Sequence, residues 1–395
     1  MILEYIHSDN SKEEVKLDLD VEVSEDWINI STTNKLEFIK KFLPSFSSGQ
    51  KIVLFDSNHK QLLEFHKEND INNFDLIKEV NNHSQLLFFT SGSSGFPVGA
   101  FKSRDNLIQE VLVLKELVKK YNIKKVVVTV PFVHIYGVLA GLLLPLYLKD
   151  VKLVVKDDFL PYELLEEVSE KNTLVITTPV FIKSLGKLSD TKDLDSSLFI
   201  CSTGVIYNED ILLLENKYNT NIVQIFGSTE TGGIAYKFST DMQWTSLDGV
   251  QISTDEDKLA VKSEFISKYI LNKKIVKFNQ PFITEDIVEV NKNKFSLIGR
   301  SNKIIKIAGK RISALQIESI IENIDGVDKA IVELVYKKEL LRSEQIKITL
   351  QSEIKIDKKT IKKKINDYYG VLTIPFSLIY VDKINYSAVG KKIIF

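Results

Sequence analysis

The chain alternates short, apolar, β-rich runs with amphipathic helical stretches, and this alternation restricts the folds open to it. The apolar runs from residue 51 onward read KIVLFD, QLLFFTS, KKVVVTVP, VKLVVKD, TLVITTP, SSLFICSTG and NIVQIFGSTE. Helical patterns such as RDNLIQEVLVLKELVKKY and YELLEEVSEKN lie between them. Because strands that alternate with helices form mainly parallel sheets covered by helices, the pattern predicts an α/β fold.

The pattern changes after about Arg300, where a second, smaller domain is expected to begin. The later segment is rich in Lys and Ile and contains a hairpin-like KIIKIAGKRIS, a helix ALQIESIIENI and a helix DKKTIKKKINDYYG. We therefore predict a large α/β domain over 1–301 and a small α+β domain over 302–395. Acidic residues flank the lysine run at 358–365, which favours a solvated helix face over an anion-binding surface.

Composition argues against several classes of function. The 395 residues carry a formal net charge of -1, so no global field attracts nucleic acid. The single cysteine, Cys201, leaves no internal disulfide, and the five histidines show no zinc-ligand spacing. The N-terminus lacks a basic start followed by an apolar core, so a secretory signal is not expected and the cytoplasm is the predicted location.

The segment from Val126 to Leu148 contains no charged residue and is nominally long enough to cross a bilayer. Its β-branched start, ended by Pro131, predicts a buried strand, and IYGVLAGLLLPLYL predicts a separate buried helix. Membrane insertion is therefore not expected. The loop between them, PFVHIYG, carries His134 beyond the carboxyl end of a strand, where α/β sheets usually bind ligands.

A loop rich in glycine and hydroxyl residues follows the apolar run at 86–89, and from Thr90 to Gly95 it reads TSGSSG. Glycine lets backbone amides converge and Ser or Thr adds hydroxyl donors, so such a loop can surround a phosphate. A Walker loop would need Lys and Ser or Thr directly after its last glycine, whereas Phe96 and Pro97 follow here. In isolation the loop is equally compatible with a Ser/Gly linker.

Similar loops recur at strand ends in a defined order. After FFTSGSSGFP come PFVHIYG, ICSTGVIY, QIFGSTETGG, FITEDIVEV, FSLIGRSNKIIKIAGKRIS and NYSAVGKKIIF. In this order the motifs resemble those of the adenylate-forming superfamily of acyl-CoA synthetases, nonribosomal-peptide adenylation domains and luciferases. The resemblance runs from about Leu86 to the C-terminus. The first 85 residues do not obviously match and are shorter than the family's usual N-terminal portion.

The resemblance implies both an architecture and a reaction. The architecture is a large N-terminal domain, with its nucleotide and acyl site over 86–301, followed by a mobile C-terminal lid. The family joins a carboxylate to the α-phosphate of ATP, releases pyrophosphate and passes the acyl group to a thiol. The implied cofactors are ATP and Mg²⁺, with CoA or the phosphopantetheine of an acyl carrier protein as acceptor. TVPFVHIYG is similar to stand-alone synthetases that load aromatic acids, so an aromatic carboxylic acid is one candidate substrate.

The resemblance also assigns nucleotide-binding roles. The loop at 90–95 would cradle the β- and γ-phosphates, Thr229 would contact the α-phosphate, and Glu230 would hold Mg²⁺ through a hard carboxylate oxygen. Asp286 and Arg300 would contact the ribose hydroxyls. The implied ATP-binding residues are Thr90, Ser91, Gly92, Ser93, Ser94, Gly95, Thr203, Gly204, Phe226, Gly227, Ser228, Asp286 and Arg300. Among these, Phe226 replaces the family's tyrosine and can still stack on adenine.

Further roles fall on the acyl site and on the small domain. His134 corresponds to the position that borders the acyl substrate, and Lys391 matches the catalytic lysine of the lid. The hinge is expected at Asn302 and Lys303, and Gly309 in IKIAGKR is expected to lie on the path of the thiol.

The chain departs from the family pattern at several positions. Val98 stands where the phosphate loop usually carries lysine, and Lys102 is a candidate to supply the missing cation. Glu285 replaces the glycine that precedes the ribose aspartate. Two alternatives stay open, a catalytically silent nucleotide-binding relative and an amide-forming acid ligase of the same fold. The silent alternative explains Val98 but gives no reason to keep both Glu230 and Lys391.

Overall fold

A computed structural model of the chain confirms the α/β fold class. It describes residues 1–20, 22–24, 26–57, 80, 84–90, 98–169, 172–204, 206–272, 274–300, 304–307, 310–336, 344–369, 376–386 and 392–393. The chain divides into two compact units. The first unit comprises Met1–Ile252, Val261–Phe282 and Lys292–Lys294, and the second comprises Ser253–Ala260, Ile283–Asn291 and Phe295–Phe395. The predicted boundary at 301/302 stays a prediction.

The first unit contains a large mixed sheet. Its strands, in spatial order, are β13 (Trp244–Ser246), β12 (Gly232–Phe238), β11 (Asn221–Ser228), β10 (Leu198–Cys201), β9 (Thr173–Thr177), β7 (Lys125–Val128), β8 (Lys152–Val155), β1 (Ile2–Ile6) and β2 (Lys12–Val15). The run from β11 to β1 is parallel throughout. The carboxyl ends of these strands therefore meet at one edge of the sheet.

A second sheet completes the first unit. Its spatial order is β17 (Lys274–Lys277), β16 (Tyr269–Asn272), β6 (Val98–Lys102), β5 (Leu86–Thr90), β4 (Ile52–Leu54) and β3 (Ile28–Ile30). Strands β5 and β6 pair antiparallel, so that Thr90 lies opposite Val98 at the end of the pair. The predicted phosphate loop connects these two strands, and its residues Ser91, Gly92, Ser93, Ser94 and Gly95 lie outside the described residues.

Helices cover both faces of the large sheet. They are α1 (Lys35–Ser48), α2 (Arg104–Val118), α3 (Leu144–Leu148), α4 (Pro161–Val168), α5 (Pro179–Gly186) and α6 (Asn208–Tyr218). The side chains of β7 show this arrangement, because Val126 and Val128 join one buried cluster whereas Val127 joins another. Side chains alternate between the two faces of a strand, so β7 is buried on both sides.

The structure confirms a strand, a loop and a helical segment within Val126–Leu148, with one difference. A π-helix spans Gly137–Leu143 and runs into α3, where the sequence predicts ordinary helix. Gly137 accounts for the tight entry, because a Cβ atom there would lie 2.1 Å from the Pro131 carbonyl oxygen. Among the described residues, no helix is long and apolar enough to cross a membrane.

The second unit combines small sheets with two helices. Strands β14 (Gln251–Asp255), β15 (Lys258–Lys262), β18 (Phe282–Asn291) and β19 (Lys294–Arg300), most of whose residues belong to this unit, lie side by side. They are followed by β20 (Ile304–Ile307), β21 (Lys310–Ser313), α7 (Ala314–Glu322), β22 (Val327–Tyr336), β23 (Glu344–Ser352), α8 (Lys358–Tyr369), β24 (Phe376–Tyr380), β25 (Asn385–Tyr386) and β26 (Lys392–Ile393). The predicted hairpin corresponds to β20 and β21, and the two predicted helices are α7 and α8.

Candidate functional site

The tight turn between β11 and β12 carries the predicted residues Thr229 and Glu230. The two strands pair antiparallel up to Ser228 and Gly232, with a register irregularity between Phe226 and Gly227. A Cβ atom on Gly227 would lie 2.2 Å from the Gly232 carbonyl oxygen, so only glycine fits there. The close approach of the two strands thus explains the glycine of the FGSTE motif without reference to a ligand.

Thr231 fixes the inner side of this turn. The Ser228 amide donates to the Thr231 hydroxyl oxygen at 3.0 Å, and that hydroxyl donates to the Gly232 carbonyl at 2.8 Å. Thr231 is fully buried, whereas Gly227 and Ser228 are exposed and Glu230 is half-buried. No described residue forms an ion pair with the Glu230 carboxylate. The turn therefore presents backbone groups and one carboxylate to solvent on a rigid base.

Thr203 and Gly204 follow β10, the parallel neighbour of β11. Both residues are exposed, and Thr203 has a φ of 76°, which is uncommon for a residue with a side chain. The hydroxyl of Ser202 donates to the Ile225 carbonyl at 2.9 Å, so this loop is tied to the strand that leads into the Phe226–Glu230 turn. Because β10 and β11 end at the same edge, the structure brings these two predicted segments together.

An aromatic pair lies beside the turn. Phe226 packs against Trp244 of β13, with ring centroids 5.3 Å apart, and the Lys237 amine lies 5.0 Å from the centre of the Trp244 ring. Burial lowers the pKa of Lys237 below its ordinary value. Sequence reasoning missed Trp244, because a lone tryptophan between two polar residues carries no spacing signal.

His134 lies in the loop after β7, at the same edge of the large sheet. Its carbonyl accepts a hydrogen bond from the Val138 amide at 3.1 Å, which leads into the π-helix. The neighbouring Tyr136 hydroxyl donates to the carbonyls of Ile200 and Thr177, at 2.8 and 3.2 Å. Tyr136 thus fixes the loop to the carboxyl ends of β10 and β9. Short π-helical segments occur frequently at functional sites, which agrees with a binding role for this loop.

Lys102 is the candidate to supply the cation missing at Val98, and its position in the structure contradicts that role. Its amine is fully buried and donates to the carbonyls of Glu230 and Phe265, at 3.1 and 2.5 Å. Burial lowers the pKa of Lys102 to about 8. The Glu110 carboxylate is also buried, which raises its pKa, and it accepts a hydrogen bond from the Gly233 amide at 2.7 Å. The amine is therefore used inside the protein, beneath the turn.

Asp286 and Arg300 lie on β18 and β19 of the second unit and form a pair. The Arg300 Nε lies 3.2 Å from the Asp286 Oδ1. Burial raises the pKa of Asp286, and the neighbouring Arg300 charge opposes that change. Glu285, in the family's glycine position, is half exposed and pairs with Lys258 at 3.0 Å. The two predicted ribose ligands therefore lie together, although Asp286 already has a partner.

Lys391, Asn302, Lys303 and Gly309 lie outside the described residues, and their roles stay predictions. The next lysine, Lys392, is described. Its amine donates to the carboxylates of Glu318 and Glu322 on α7, at 3.0 and 2.6 Å, and to the Ala330 carbonyl at 2.9 Å. These carboxylates raise the pKa of Lys392 despite its partial burial. Of the two adjacent lysines, Lys392 is thus an internal anchor of the second unit.

The donor set can be tested against magnesium. Among the described residues, no group of three or more His, Cys, Asp or Glu side chains could hold a metal alone. Mg²⁺ commonly binds one or two carboxylates together with substrate phosphates and water. A single half-buried carboxylate at Glu230, beside the exposed backbone of Ser228, fits a metal that arrives with a nucleotide.

The chain is similar to known proteins in both sequence and structure. The model of the family described as AMP-binding enzyme matches residues 28–262. The sequence motifs predict that the resemblance begins at about Leu86, and this predicted start is wrong, because the match begins well before that residue. The matched range includes β3, α1 and β4, all of which precede Leu86.

A curated relative in Staphylococcus aureus (strain MRSA252), "Putative long chain fatty acid-CoA ligase VraA", is 23% identical over 333 residues, covering 79% of this chain and 70% of the relative. The crystal structure of ATP-bound MatB from Rhodopseudomonas palustris has a TM-score of 0.78 at 16% identity, covering 98% and 93% of the two chains. The amide bond synthetase McbA from Marinactinospora thermotolerans has a TM-score of 0.73 at 15% identity, covering 94% and 89%. At these identities the structural likeness establishes the fold alone.

Proposed function

The chain belongs to the AMP-binding enzyme family, and from this premise we propose that it converts a carboxylic acid and ATP into an acyl-adenylate, and then transfers the acyl group to a pantetheine thiol. The observation that carries the proposal is the Phe226–Glu230 turn. It presents one carboxylate and exposed backbone beside the Thr203–Gly204 loop, at the carboxyl edge of parallel strands.

In the first half-reaction, a carboxylate oxygen of the acid attacks the α-phosphorus of ATP. A new oxygen–phosphorus bond forms, and the bond to pyrophosphate breaks. Phe226, supported by Trp244, would stack on the adenine, and Thr203 and Gly204 would border it. Thr229 would contact the α-phosphate. Glu230 would hold Mg²⁺, which when bound neutralises negative charge on the phosphates.

Lys391 would reduce the repulsion between the acid and the α-phosphate, because an ammonium group between two anions stabilises their approach. The contacts of Lys392 support this assignment. Its amine is engaged by Glu318 and Glu322, and a group held by two carboxylates is poorly suited to bridging substrates. The proposal therefore gives the two lysines different tasks, catalysis for Lys391 and anchoring for Lys392.

In the second half-reaction, a thiolate attacks the acyl carbon, the thioester forms, and AMP leaves with the electron pair of the broken carbon–oxygen bond. His134 would border the acyl group in both steps. We propose that a rotation at Asn302 and Lys303 withdraws Lys391 and brings the Gly309 segment to the thiol path. Gly309→Leu should therefore impair thioester formation and spare adenylation.

Two classes of carboxylic acid are proposed as substrates, long-chain fatty acids and aromatic acids. The curated relatives carry the name of a long-chain fatty acid–CoA ligase, whereas the PFVHIYG motif suggests an aromatic acid. An ATP–pyrophosphate exchange assay with a panel of long-chain and aromatic acids distinguishes the two substrate classes. Exchange above background with one class supports adenylation and names the substrate, whereas no exchange with any acid favours the catalytically silent alternative.

The acceptor is tested next, because the fold includes both thiol-using and amide-forming enzymes. CoA, a phosphopantetheinylated carrier protein and a panel of amines are each added to the acyl-adenylate formed in place. Thioester with CoA or the carrier protein supports the proposed ligase. Amide without thioester would replace it with the amide-forming alternative.

A further inference from the structure

The turn that carries Thr229 and Glu230 rests on two buried, oppositely charged side chains. Lys102 ends β6 and donates to the Glu230 carbonyl, which also accepts the Ser267 amide at 2.8 Å. The backbone of the predicted metal ligand is thus held by two donors. A second carbonyl, that of Phe265, accepts the same amine at 2.5 Å and fixes its direction.

Glu110 supports the other end of the turn. This residue of α2 is 4% exposed, and one carboxylate oxygen accepts the Gly233 amide at 2.7 Å. The other oxygen, Oε2, has no hydrogen-bond partner among the described residues and lies against Gly232. A Cβ atom on Gly232 would lie 2.5 Å from that oxygen, and the φ of 71° independently favours glycine.

The two supports belong to one rigid junction between β6 and α2. Ser103 and Asn106 form a reciprocal capping box at the start of α2, and the Asn106 side-chain amide also donates to the Glu264 carbonyl. The junction therefore holds the segment at 264–265 as well as the turn. Burying one charge alone is costly, so the presence of both signs in one region offsets part of the desolvation of each.

We propose that Lys102 and Glu110 are positioning residues that fix the Ser228–Gly233 turn, so that the Glu230 side chain is held in place before the nucleotide binds. The catalytic consequence rests on the proposed function, whereas the effect on the turn does not. To reach a phosphate, the Lys102 amine would have to break its hydrogen bonds to the carbonyls of Glu230 and Phe265. Its role therefore differs from that of the lysine missing at Val98.

Hydrogen–deuterium exchange in the ligand-free protein tests the positioning directly. Lys102→Met should increase exchange in peptides covering 228–233, because the Glu230 carbonyl loses its charged donor. Lys125→Met is the matched control, since Lys125 is equally buried but pairs with Glu167 at 2.9 Å at the amino end of β7. It should leave these peptides unchanged. Equal exchange at 228–233 in wild type and Lys102→Met would overturn the proposal.

The catalytic consequence has its own measurement, in a Trp27→Phe background that leaves Trp244 as the single tryptophan. Trp244 fluorescence measures the Kd of AMP without metal. The rate of pyrophosphate exchange, measured at increasing Mg²⁺, gives the Mg²⁺ concentration at half-maximal rate. Lys102→Met should raise that Mg²⁺ concentration by about tenfold, the cost of a lost hydrogen bond to a charged group, and leave the AMP Kd within about twofold. A purely structural defect would weaken Mg²⁺ binding and AMP binding together. That result would overturn the positioning role of Lys102.

A double-mutant cycle tests the link between the two side chains. Glu110→Gln keeps the shape and the acceptor for Gly233 but leaves Lys102 without its opposite charge. Each single variant should unfold at a lower denaturant concentration than wild type, and the double variant should be less destabilised than the sum of both. Strict additivity would overturn the electrostatic coupling of the two side chains. A further outcome separates the two proposals. If wild type shows no pyrophosphate exchange but Lys102→Met still increases hydrogen–deuterium exchange at 228–233, the positioning role is supported and the proposed function is contradicted.

Discussion

The Ser228–Gly233 turn of the first unit and the β25–β26 hairpin of the second unit are held by lysines in opposite ways. Beneath the turn, Lys102 donates only to carbonyl oxygens, and burial lowers its pKa to about 8. In the hairpin, Lys392 meets the carboxylates of Glu318 and Glu322, and its pKa is raised. At Lys392 the carboxylates in direct contact outweigh burial, whereas at Lys102 burial outweighs the charges of Glu110 and Glu230, which form no direct ion pair with it.

The contrast predicts the largest effect for Lys391, compared with its neighbour in the sequence, Lys392. Lys391→Ala should lower acyl-adenylate formation by several orders of magnitude, because it removes the charge between the two anions. Lys392→Met should lower it by only about tenfold, through a less ordered position of its neighbour. Rates are measured by pyrophosphate exchange at saturating ATP and acid.

The same lysine variants then separate the half-reactions. With synthetic acyl-adenylate and thiol, Lys391→Ala should form thioester at a near-normal rate, since the lysine is expected to have left the site. Lys392→Arg should retain more exchange activity than Lys392→Met because it keeps the ion pairs. Loss of both half-reactions in Lys391→Ala would contradict the division of tasks.

The pH dependence of stability should differ between carbonyl-held and carboxylate-held lysines. Lys35 is a second carbonyl-held lysine, bonded to Val128 and Lys156, and burial lowers its pKa to about 8. Between about pH 8 and pH 10.5 the unfolded state binds the proton and the folded state does not, so Lys35 makes stability rise with pH. The rise amounts to at most about 3.5 kcal/mol, since the pKa falls from 10.5 to about 8 and each pKa unit corresponds to about 1.4 kcal/mol.

Lys392 has the opposite sign. Its raised folded pKa adds stability that is fully present below the unfolded value of 10.5 and is lost as pH rises through the folded value. Denaturant unfolding of wild type, Lys35→Met and Lys392→Met across pH 7 to 11 measures both contributions. Curves that stay parallel at every pH would show that the two lysines do not differ.

A pair of glycines sharpens the account of the turn. Gly232 and Gly249 have similar φ values, 71° and 76°, but Glu110 lies against Gly232, whereas the space around Gly249 is open. Gly232→Ala should therefore cost about 3 kcal/mol and Gly249→Ala only about 1 kcal/mol, the backbone cost alone. Equal losses in the free energy of unfolding would mean that Glu110 does not confine the turn.

The smallest effect is expected at Val98. This residue lies opposite Thr90 where β5 and β6 lead into the predicted phosphate loop, and Lys102 does not replace the family's lysine. Val98→Lys should tighten ATP binding by about 1 kcal/mol, the value of a partly exposed charge-assisted contact. Trp244 fluorescence titrations with ATP measure the change. An unchanged Kd would mean that another cation serves the phosphates.

The sequence was a good guide to the strands and their loops, because apolar runs ending in Gly, Ser or Thr mark strand ends. It also predicted that the Thr203 and Glu230 segments belong to one site. It could not predict the burial of Lys102, since a lysine at the end of VGAFK is indistinguishable from a surface residue until the Glu230 turn packs on it. The π-helix and Trp244 depend in the same way on contacts between distant segments.

Pyrophosphate exchange by Glu230→Gln, beside wild type and the exposed-carboxylate control Glu264→Gln, tests the central claim most directly. With the acid that gives the highest wild-type rate, Glu230→Gln should lose at least about 100-fold of the rate, because the neutral amide is a poor ligand for Mg²⁺. Glu264→Gln should stay within about twofold, as for surface substitutions generally. An exchange rate for Glu230→Gln close to that of Glu264→Gln would contradict adenylation at this turn.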